Sequence, residues 1–485
     1  MDGFFIVFIL VKGIFVSHKI YFMTLIKSIS GIRGTIGGKI NDNLTPLDAV
    51  KFASAYGLWL LKKSGSNTPV KVIIGRDARL SGKMISSLVA NTLVGLGIDV
   101  VDLGLSTTPT VEVAVTLEKA SGGIIVTASH NPKQWNALKL LNKEGEFLNA
   151  KEGKLILDYA SSENFEYAQV DNLGKYTKRK DYIKKHIDEV LKLELVDVTA
   201  IKAAGFKVVV DAVNSTGGIA IPMLLDELGV SCIQLYCDPS GEFPHNPEPL
   251  PEHLHEISKL VVKEKADLGI VVDPDVDRLA IVNEDGSMFG EEYTLVACAD
   301  YVLSKTPGNT VSNLSSSRAL RDVTQKHGGK YQASAVGEVN VVELMKLNKA
   351  IIGGEGNGGI IYPASHYGRD ALVGVGLFLS HLAQLKISCK SLKNSYPSYF
   401  MSKNKIELTP QIDVEGILKK MEKKYKDQDI STIDGVKIDF ENEWVHLRKS
   451  NTEPIIRIYT ESTSQHEADR LALRIIDEIK AIAGI

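Results

Sequence analysis

The acidic segment DPDVDR, residues 273–278, combines residue types and spacing that suit a metal ion. Its carboxylates, Asp273, Asp275 and Asp277, alternate along the chain between two apolar runs, LGIVV and LAIVN, and each run predicts a buried strand. Carboxylates this close raise each other's pKa unless a cation lies among them. Oxygen ligands favour a hard ion such as Mg²⁺. A solvated surface loop is the alternative interpretation, and the apolar flanks disfavour it.

Two other acidic motifs, the EF-hand and the aspartyl phosphatase motif, are alternatives for the same segment. An EF-hand requires glycine at the sixth loop position and a helix on each side. Arg278 holds the sixth position here, and the flanks have the pattern of strands. A phosphatase with an aspartyl nucleophile also carries aspartates after a strand, so this alternative stays open on the acidic segment alone.

A second reactive segment is TASHNP, residues 127–132, which directly follows an apolar run that predicts a strand. The hydroxyl of Ser129 would lie at the end of that strand, where it suits a nucleophile or a phosphate carrier. His130 could orient this hydroxyl or shuttle a proton. An ordinary polar turn explains the hexapeptide equally well when it is considered by itself.

The composition is that of a globular protein of several domains. A chain of 485 residues exceeds one compact core and predicts roughly three or four domains. The formal net charge is 56 − 59 = −3, which gives no indication of a nucleic-acid or membrane-surface partner. A small anionic substrate in a locally basic pocket remains compatible with this charge. Four cysteines without paired spacing favour reduced thiols in the cytoplasm.

The first 22 residues differ from the rest. They contain the apolar stretch FFIVFILVKGIFV, which is shorter than the roughly 20 apolar residues that span a bilayer. The stretch lacks the basic start of a signal peptide, since Asp2 stands there. We interpret residues 1–22 as a dispensable extension or a misassigned start before Met23, with a membrane anchor as the alternative.

The pattern of predicted elements indicates an α/β fold. A strand, a polar or glycine-rich loop, a helix and a further strand recur three times along the chain, which predicts three similar mixed-sheet α/β domains. The last 80 or so residues instead contain successive strands and then an amphipathic helix over 464–482, which is typical of an α+β domain. The expected domains are 23–165, 166–290, 291–400 and 401–485, arranged around a central cleft.

From Met23 onward the chain resembles the α-D-phosphohexomutase superfamily. TASHNP is similar to the phosphoserine loop of that family and DPDVDR to its metal-binding loop. SGIRG at 30–34 resembles its N-terminal signature, GEGNGG at 354–359 its sugar-recognition loop, and RKSNTEPIIRIY at 448–459 its phosphate-binding loop. Five motifs in the family's order make the resemblance specific.

The resemblance implies a mutase that works through a phosphorylated Ser129. That phosphate would bind one Mg²⁺ together with Asp273, Asp275 and Asp277, so Ser129 counts among the metal ligands. It would pass to the free hydroxyl of a hexose monophosphate, and the bisphosphate so formed would turn over in the pocket and return its other phosphate to the serine.

Further roles follow from the same resemblance. His130 and Lys139 would assist proton transfer, and Arg33 and Arg278 would contact the reacting phosphoryl group. The sugar reader would consist of Glu355 and Asn357. The clamp on the second phosphate would consist of Arg448, Ser450, Asn451, Thr452 and Arg457. Surface ion pairs of the two clamp arginines with Glu453 and Glu461 are the alternative.

The chain departs from the family in the sugar loop. Many members have the form G-E-x-S-G-H, whereas Asn357 and Gly359 stand here in the places of serine and histidine. His366 is a candidate for the vacant histidine role. Ala137 replaces the glycine of N-G-x-K and leaves Lys139 in register.

The GEGNGG form resembles the archaeal and Bacteroidetes-type branch of phosphoglucosamine mutases. This implies interconversion of glucosamine 6-phosphate and glucosamine 1-phosphate, and a phosphoglucomutase/phosphomannomutase acting on glucose or mannose phosphates is the alternative. An inactive sugar-phosphate-binding protein is a hypothesis of a different class. The resemblance also implies a cytoplasmic monomer or homodimer with no nucleic-acid or membrane partner.

Overall fold

The computed structural model describes residues 23–28, 31–65, 68–407, 412–449 and 455–483. The N-terminal extension expected over residues 1–22 lies outside the described residues.

The first sheet has seven strands, in the order β1-β2-β6-β5-β3-β4-β7. Its strands are β1 (Ile26–Ser28), β2 (Gly31–Thr35), β3 (Lys71–Arg76), β4 (Asp99–Leu105), β5 (Gly122–Val126), β6 (Trp135–Leu141) and β7 (Tyr176–Lys178). Its helices are α1 (Pro46–Ser64), α2 (Gly82–Gly95), α3 (Thr108–Leu117) and α4 (Ala150–Ser162). β3, β4 and β5 are parallel, and β6 returns antiparallel to β5. The loop between β5 and β6 contains TASHNP.

The second sheet has four strands, in the order β11-β10-β8-β9. Its strands are β8 (Lys207–Asp211), β9 (Ser231–Leu235), β10 (Leu268–Val272) and β11 (Leu279–Asn283). The neighbouring helices are α5 (Tyr182–Leu191), α6 (Val198–Ala204), α7 (Gly217–Glu227) and α8 (His255–Glu264). β10 is parallel to β8, and β11 returns antiparallel to β10 across the acidic loop.

The third sheet repeats this plan with the order β13-β12-β14-β15. Its strands are β12 (Asn309–Asn313), β13 (Tyr331–Ser334), β14 (Ala350–Glu355) and β15 (Gly359–Ile361). Its helices are α9 (Glu291–Lys305), α10 (Ala319–Lys326), α11 (Glu338–Asn348), α12 (Ala371–Leu385) and α13 (Cys389–Asn394). The antiparallel hairpin β14–β15 carries the sugar loop. The three reactive loops therefore occupy the same place in three similar sheets.

The fourth sheet is entirely antiparallel, in the order β16-β20-β19-β18-β17. Its strands are β16 (Phe400–Glu407), β17 (Asp429–Ser431), β18 (Val436–Asp439), β19 (Trp444–Lys449) and β20 (Ile455–Ser462). α14 (Val414–Lys424) and α15 (Gln465–Ala483) pack against it. This sheet confirms the α+β character expected for the C-terminal part, and the mixed α/β class is confirmed as well.

The cores are distributed unevenly among the sheets. One continuous apolar cluster joins the second and third sheets, while the first and fourth sheets have clusters of their own. α12 explains the shared core, because it is buried along most of its length and contacts both α9 and α6. The second and third units thus form one packed block to which the first and fourth are attached.

Candidate active site

Ser129 lies in the loop between β5 and β6 with an unusual backbone conformation. Its φ is +48°, in the left-handed region that residues other than glycine seldom occupy. Such conformations cost about 1–3 kcal/mol and occur where surrounding contacts enforce them, often at functional sites. The N–H group of Ser129 donates to Thr127 Oγ1 at 3.0 Å, and its hydroxyl donates to Asp273 Oδ2 at 2.7 Å. The serine and acidic loops therefore meet, although they belong to different sheets.

The serine loop is held by the buried guanidinium of Arg79, which is 1% exposed. Arg79 donates at 3.0 Å or less to the main-chain carbonyl oxygens of Ser129, Asn131, Pro132 and Trp135. Asp77 accepts from Arg79 Nε at 3.0 Å and from the hydroxyl of Thr127 at 2.7 Å. These charge-assisted hydrogen bonds fix the shape of the loop. The sequence analysis assigned no role to Arg79, because its spacing from the serine carries no local signal.

The acidic loop between β10 and β11 curls back on its first residue. Asp273 Oδ1 accepts from the N–H groups of Asp277 and Arg278, each at 3.2 Å. Val276 adopts φ +64°, which is rare for a β-branched residue, and its side chain is fully buried. As a result, one carboxylate oxygen of each of the three aspartates lies within 4.8 Å of the others.

Neighbouring units hold this acidic loop in place. Thr108, the first residue of α3, donates from its N–H to the carbonyl oxygen of Asp275 at 2.8 Å and from Oγ1 to Asp275 Oδ2 at 2.6 Å. The hydroxyls of Ser215 and Thr216, just before α7, donate to the carbonyl oxygen of Pro274 at 2.6 and 2.9 Å. The first and second units together therefore position the carboxylates.

The residues of the acidic loop fit a hard divalent cation. Asp275 Oδ1 and Asp277 Oδ1 are buried and have no hydrogen-bond partner within the part of the chain that the structure describes. A buried carboxylate oxygen without a partner is costly unless a cation neutralises it. The donor set consists of oxygen atoms only, which is the preference of Mg²⁺ or Ca²⁺ and not of softer metals.

Nearby basic side chains affect the carboxylates of the acidic loop unequally. Lys139 Nζ lies 2.6 Å from Asp275 Oδ2 and 3.2 Å from Asp277 Oδ2, and Arg369 Nη2 lies 2.7 Å from Asp277 Oδ2. Burial opposes the charge of Asp277, but Arg369 and Lys139 outweigh it and lower the pKa of this carboxyl. Burial and the charges of the two other aspartates raise the pKa of Asp273 well above its usual range. The mutual rise expected from the sequence thus applies to Asp273 and not to Asp277.

Lys139 keeps its proton in this surrounding. Burial alone would lower the pKa of its ammonium group, but Asp275 and Asp277 outweigh burial and raise it. Lys139 lies on β6 of the first sheet, directly after Leu138, which pairs with Ile32 of the neighbouring strand β2. The side chain therefore reaches the acidic loop from the first sheet.

Arg369 connects the acidic loop to the sugar loop. Besides Asp277, its guanidinium donates to Glu355 Oε2 at 3.0 Å through Nη1 and to Glu338 Oε2 at 2.9 Å through Nε. The sequence analysis missed Arg369. Its only local signal was its position shortly after GEGNGG, in the segment HYGRD.

The two sugar-reader candidates lie at the tip of the β14–β15 hairpin. Glu355 Oε1 accepts from Asn313 Nδ2 at 2.8 Å and from the N–H of Gly337 at 3.2 Å. Asn357 Oδ1 accepts from the N–H of Gly359 at 3.2 Å. A Cβ atom at Gly359 would lie 2.2 Å from Cδ of Arg369. Arg369 therefore fills the space that a larger side chain at position 359 would need.

His130 lies among several guanidinium groups. Its Nδ1 is 3.4 Å from Ser129 Oγ. Burial lowers the pKa of His130 well below its usual range, and the charges of Arg278, Arg369 and Arg33 act in the same direction. Burial and these positive charges both disfavour the protonated form of the imidazole. The surrounding positive charge suits a phosphate group.

Two arginines from opposite ends of the chain approach each other. Burial lowers the pKa of Arg33, on β2, and the charge of Arg457, on β20, lowers it further. Arg457 also stands directly opposite Arg448 of β19, so both project from one face of the fourth sheet. Arg448 forms an ion pair with Asp434 at 3.0 Å. Like charges that converge in this way favour a bound anion.

Three expected clamp residues, Ser450, Asn451 and Thr452, lie outside the described residues. Arg278, the last residue of the acidic loop, contacts Glu248 Oε1 at 3.5 Å through Nη1.

Among the described residues, His366 forms no hydrogen bond with the serine loop or with the sugar loop. Its Nε2 lies 3.1 Å from Asp370 Oδ2 and its Nδ1 lies 3.4 Å from Glu112 Oε2.

Family models match most of the chain. The alpha/beta/alpha domains I, II and III of phosphoglucomutase/phosphomannomutase match residues 25–167, 184–286 and 290–399, and its C-terminal domain matches residues 406–478. The chain therefore belongs to the phosphoglucomutase/phosphomannomutase family of the α-D-phosphohexomutase superfamily, whose members are isomerases. The resemblance found in the sequence is confirmed.

Relatives carry more than one substrate name. A "Phosphoglucomutase/phosphomannomutase" of Thermococcus kodakarensis is 35% identical over 455 residues, covering 92% of this chain and 98% of the relative. A "Phosphoglucosamine/phosphogalactosamine mutase" of Sulfurisphaera tokodaii is 32% identical over 460 residues, covering 93% and 97%. A phosphoglucomutase/phosphomannomutase family protein of Burkholderia thailandensis superposes with a TM-score of 0.80 at 25% identity, covering 93% and 96%.

Among the described residues, no helix combines the length and the apolar character that crossing a membrane requires.

Proposed function

We propose that this protein interconverts glucosamine 6-phosphate and glucosamine 1-phosphate through a phosphorylated Ser129 and a 1,6-bisphosphate intermediate. One observation carries the proposal. The hydroxyl of Ser129 lies 2.7 Å from Asp273 across a sequence separation of 144 residues, in the loop where two buried carboxylate oxygens have no hydrogen bond among the described residues. A serine hydroxyl among acidic groups becomes a useful phosphate carrier when a cation offsets their charge.

Asp273, Asp275 and Asp277 would hold one Mg²⁺, with the phosphate on Ser129 as a further ligand. When bound, Mg²⁺ would neutralise phosphoryl oxygens and stabilise negative charge on the serine oxygen as it leaves. Their exclusively oxygen donors support this assignment, as do the Oδ1 atoms of Asp275 and Asp277, which accept no hydrogen bond from the described residues.

Ser129, His130 and Lys139 would carry the transfer itself. The P–O bond to Ser129 Oγ breaks, and a P–O bond forms to the free hydroxyl of the sugar phosphate. His130 would take the proton of that hydroxyl and pass it to the released Ser129 Oγ, and its Nδ1 position 3.4 Å from this oxygen supports the role. Lys139 stays protonated and would place its positive charge beside the reacting oxygens. The reverse sequence returns the other phosphate to the serine.

The remaining basic residues would hold the two phosphates of the intermediate. Arg33 and Arg278 would contact the phosphoryl group in transfer. The clamp on the second phosphate would consist of Arg448, Ser450, Asn451, Thr452 and Arg457. The charge of Arg457 lowers the pKa of Arg33, which supports the assignment of both arginines to one anionic substrate.

Glu355 and Asn357 would read the sugar. Glu338 and Glu355 both contact the guanidinium of Arg369, at 2.9 and 3.0 Å. A carboxylate of Glu355 beside the sugar would favour the protonated 2-amino group of glucosamine. The names of the relatives from Sulfurisphaera tokodaii and Methanopyrus kandleri, at 32% and 30% identity, support the same substrate.

A mutase of glucose or mannose phosphates is the second candidate. The name of the Thermococcus kodakarensis relative, at 35% identity, favours it. Both candidates use the same transfer chemistry and differ only in the contact to the C2 substituent of the sugar.

A coupled assay of the purified protein on glucosamine, glucose and mannose monophosphates separates the candidates. We expect the highest kcat/KM for glucosamine 6-phosphate; a higher value for glucose or mannose phosphate would favour the second candidate. Ser129→Ala should abolish activity and remove the phosphate that mass spectrometry detects on the peptide. Ser87→Ala, an exposed serine on α2, is the matched control. Full activity of Ser129→Ala would instead indicate an aspartyl nucleophile.

We also propose the four domains at 23–165, 166–290, 291–400 and 401–485, and a monomer or homodimer in the cytoplasm. The four free cysteines support a reducing compartment. Light scattering of the purified protein tests the oligomeric state.

A further inference from the structure

A second group of metal-ligand side chains lies apart from the acidic loop. His186 on α5 meets His366 and Asp370, which precede α12, and Glu112 of α3 adjoins them. These residues come from three separate segments of the chain. None of them has a role in the mutase chemistry proposed above.

The group is buried. His186 is 0% exposed, Glu112 and Asp370 are each 1% exposed, and the side chain of His366 is 10% exposed. Two carboxylates and two imidazoles in such a position are costly unless their charges and lone pairs are matched.

Three potential ligand atoms converge on one point. The Nε2 atoms of His186 and His366 lie 2.9 and 3.1 Å from the same oxygen, Asp370 Oδ2, and one ligand atom of each residue lies within 4.8 Å of the others. The other oxygen, Asp370 Oδ1, caps α12 by accepting from the N–H groups of Leu372 and Val373. This leaves Oδ2 as the oxygen that faces the imidazoles.

The opposite ring nitrogens face partners that could orient them. His186 Nδ1 lies 3.0 Å from Thr110 Oγ1, and His366 Nδ1 lies 3.4 Å from Glu112 Oε2. Imidazoles that bind metals usually donate their second N–H to a carboxylate or another oxygen, which directs the lone pair of the first nitrogen at the metal. His186 has that form through its hydrogen bond to Thr110, and His366 Nδ1 faces Glu112 Oε2 without a hydrogen bond among the described residues.

The environment of Glu112 gives an independent indication of a bound cation. Both of its carboxylate oxygens, and Nδ1 of His366, are buried and have no hydrogen bond among the described residues. His366 Nδ1–H is the nearest donor that could serve Glu112. If that nitrogen carries the proton of a neutral ring, the lone pair of Nε2 faces the carboxylate of Asp370, and a bound cation would remove the repulsion between them.

We propose that His186, His366 and Asp370 bind one divalent transition-metal ion of the Zn²⁺ type, with Glu112 and Thr110 orienting the two imidazoles. Two nitrogen donors disfavour Mg²⁺ and suit zinc or its neighbours. Zn–N bonds of about 2.0–2.1 Å in a tetrahedron place ligand atoms roughly 3.3 Å apart. The separations of 2.9 and 3.1 Å would therefore widen by only a few tenths of an ångström.

Such an ion would fasten three segments beside the catalytic cleft. His186 lies on α5, Glu112 and Thr110 lie on α3, and Asp370 follows Arg369, which contacts both the acidic loop and the sugar loop. The site would use three protein ligands and leave the fourth position to water.

The test is a Co²⁺ titration of the metal-stripped full-length protein in excess Mg²⁺, followed by the visible absorption of the cobalt. Excess Mg²⁺ occupies the all-oxygen acidic loop, and Asp275→Asn removes that loop as a Co²⁺ site. We expect one equivalent of tightly bound Co²⁺ with the strong bands of a four-coordinate nitrogen and oxygen site, in the wild type and in Asp275→Asn alike.

Variants locate the site. His186→Gln and His366→Gln should lose the cobalt bands, and Glu112→Gln should weaken binding roughly 10- to 100-fold. His255→Gln, an exposed histidine at the start of α8, should change nothing. Absence of the bands in the folded wild type would overturn the proposal and leave a hydrogen-bonded cluster with a protonated His366. Unchanged bands in a folded His366→Gln variant would overturn it as well, and the wild-type titration decides even if the variants fail to fold.

Discussion

At the level of single residues, Arg369 takes the space that the sugar-loop histidine of many phosphohexomutases would need. A Cβ at Gly359 would lie 2.2 Å from the Arg369 side chain, so the glycine and the arginine require each other. The arginine also links Asp277 to Glu355. The glycine at position 359 thus leaves room for the Arg369 side chain.

Replacing Arg369 by Lys should lower kcat more than it changes KM. Lysine keeps the charge but loses the fork that reaches Asp277, Glu355 and Glu338 together. Hydrogen bonds to charged groups contribute about 1.5–3 kcal/mol, so we expect roughly a 10- to 100-fold loss of kcat. Steady-state kinetics measure it, with Arg321→Lys as the control at a partly exposed arginine.

A double-mutant cycle tests the pairing of Arg369 with Gly359. Gly359→Ala should reduce activity in the wild type and have a much smaller effect in the Arg369→Ala background, because the contact at 2.2 Å no longer exists there. Equal effects in both backgrounds would show that the two positions act independently.

At the level of elements, the same hairpin occurs in the first three sheets. Each time a parallel strand runs into a polar loop and returns antiparallel, as in β5–β6, β10–β11 and β14–β15. The strand ends hold the reactive loops rigidly, while buried polar contacts from other elements determine their shape. Arg79 shapes the serine loop in this way, and Thr108 at the start of α3 fixes the acidic loop.

Replacing Arg79 by Met should damage both stability and catalysis. The change leaves Asp77 buried without its ion pair, and loss of one partner of a buried pair costs about 3–5 kcal/mol. It also releases the carbonyl oxygens of the serine loop. We expect a lower Tm and a lower kcat at temperatures where the variant is still folded. The exposed Arg470→Met is the control, and an unchanged kcat would contradict a role in shaping the loop.

Replacing Thr108 by Val should weaken Mg²⁺ binding without unfolding the protein. Valine keeps the shape of the side chain but loses the hydroxyl that donates to Asp275 at 2.6 Å. Loss of a group that orients a metal ligand typically lowers metal affinity about 10- to 100-fold. The dependence of activity on Mg²⁺ concentration measures this, and Thr116→Val at the other end of α3 is the control. Identical Mg²⁺ dependence of both variants would refute the argument.

At the level of the whole molecule, the second and third sheets share one core, and the first and fourth sheets are attached to it with cores of their own. The site draws side chains from all four sheets. Ser129 and Lys139 come from the first, the aspartates from the second, and Glu355 from the third, while Arg457 comes from the fourth. A cation in the acidic loop would therefore stabilise contacts between separate units.

Mg²⁺ should raise the Tm of the wild type. A ligand that binds only the folded state stabilises it by RT ln(1 + [L]/Kd), about 2.7 kcal/mol at a concentration 100 times Kd. Asp275→Asn should abolish most of this shift, because the site loses one of its three carboxylates. Differential scanning calorimetry with and without EDTA measures it. A shift of equal size in the variant would place the stabilising ion elsewhere.

The sequence was a good guide to the fold and to the reactive loops. Ser129 and the three aspartates stand next to apolar runs that become β5, β10 and β11, so local pattern was sufficient to place them at strand ends. The α/β class and the α+β character of the last part followed from the same periodicity. The shared core of the second and third sheets did not, because periodicity does not reveal which apolar faces pack together.

Only the tertiary structure revealed Arg79, Arg369 and Thr108, and only it brought His366 to Glu112 and Asp370. Each of these residues acts on a segment far from it in sequence, as Thr108 does on Asp275 across 167 residues. Sequence by itself therefore determined which groups can react, since reactivity resides in side chains on predictable strand ends. The folded chain decided which groups orient them, because hydrogen bonds and ion pairs depend on distances that no local pattern records.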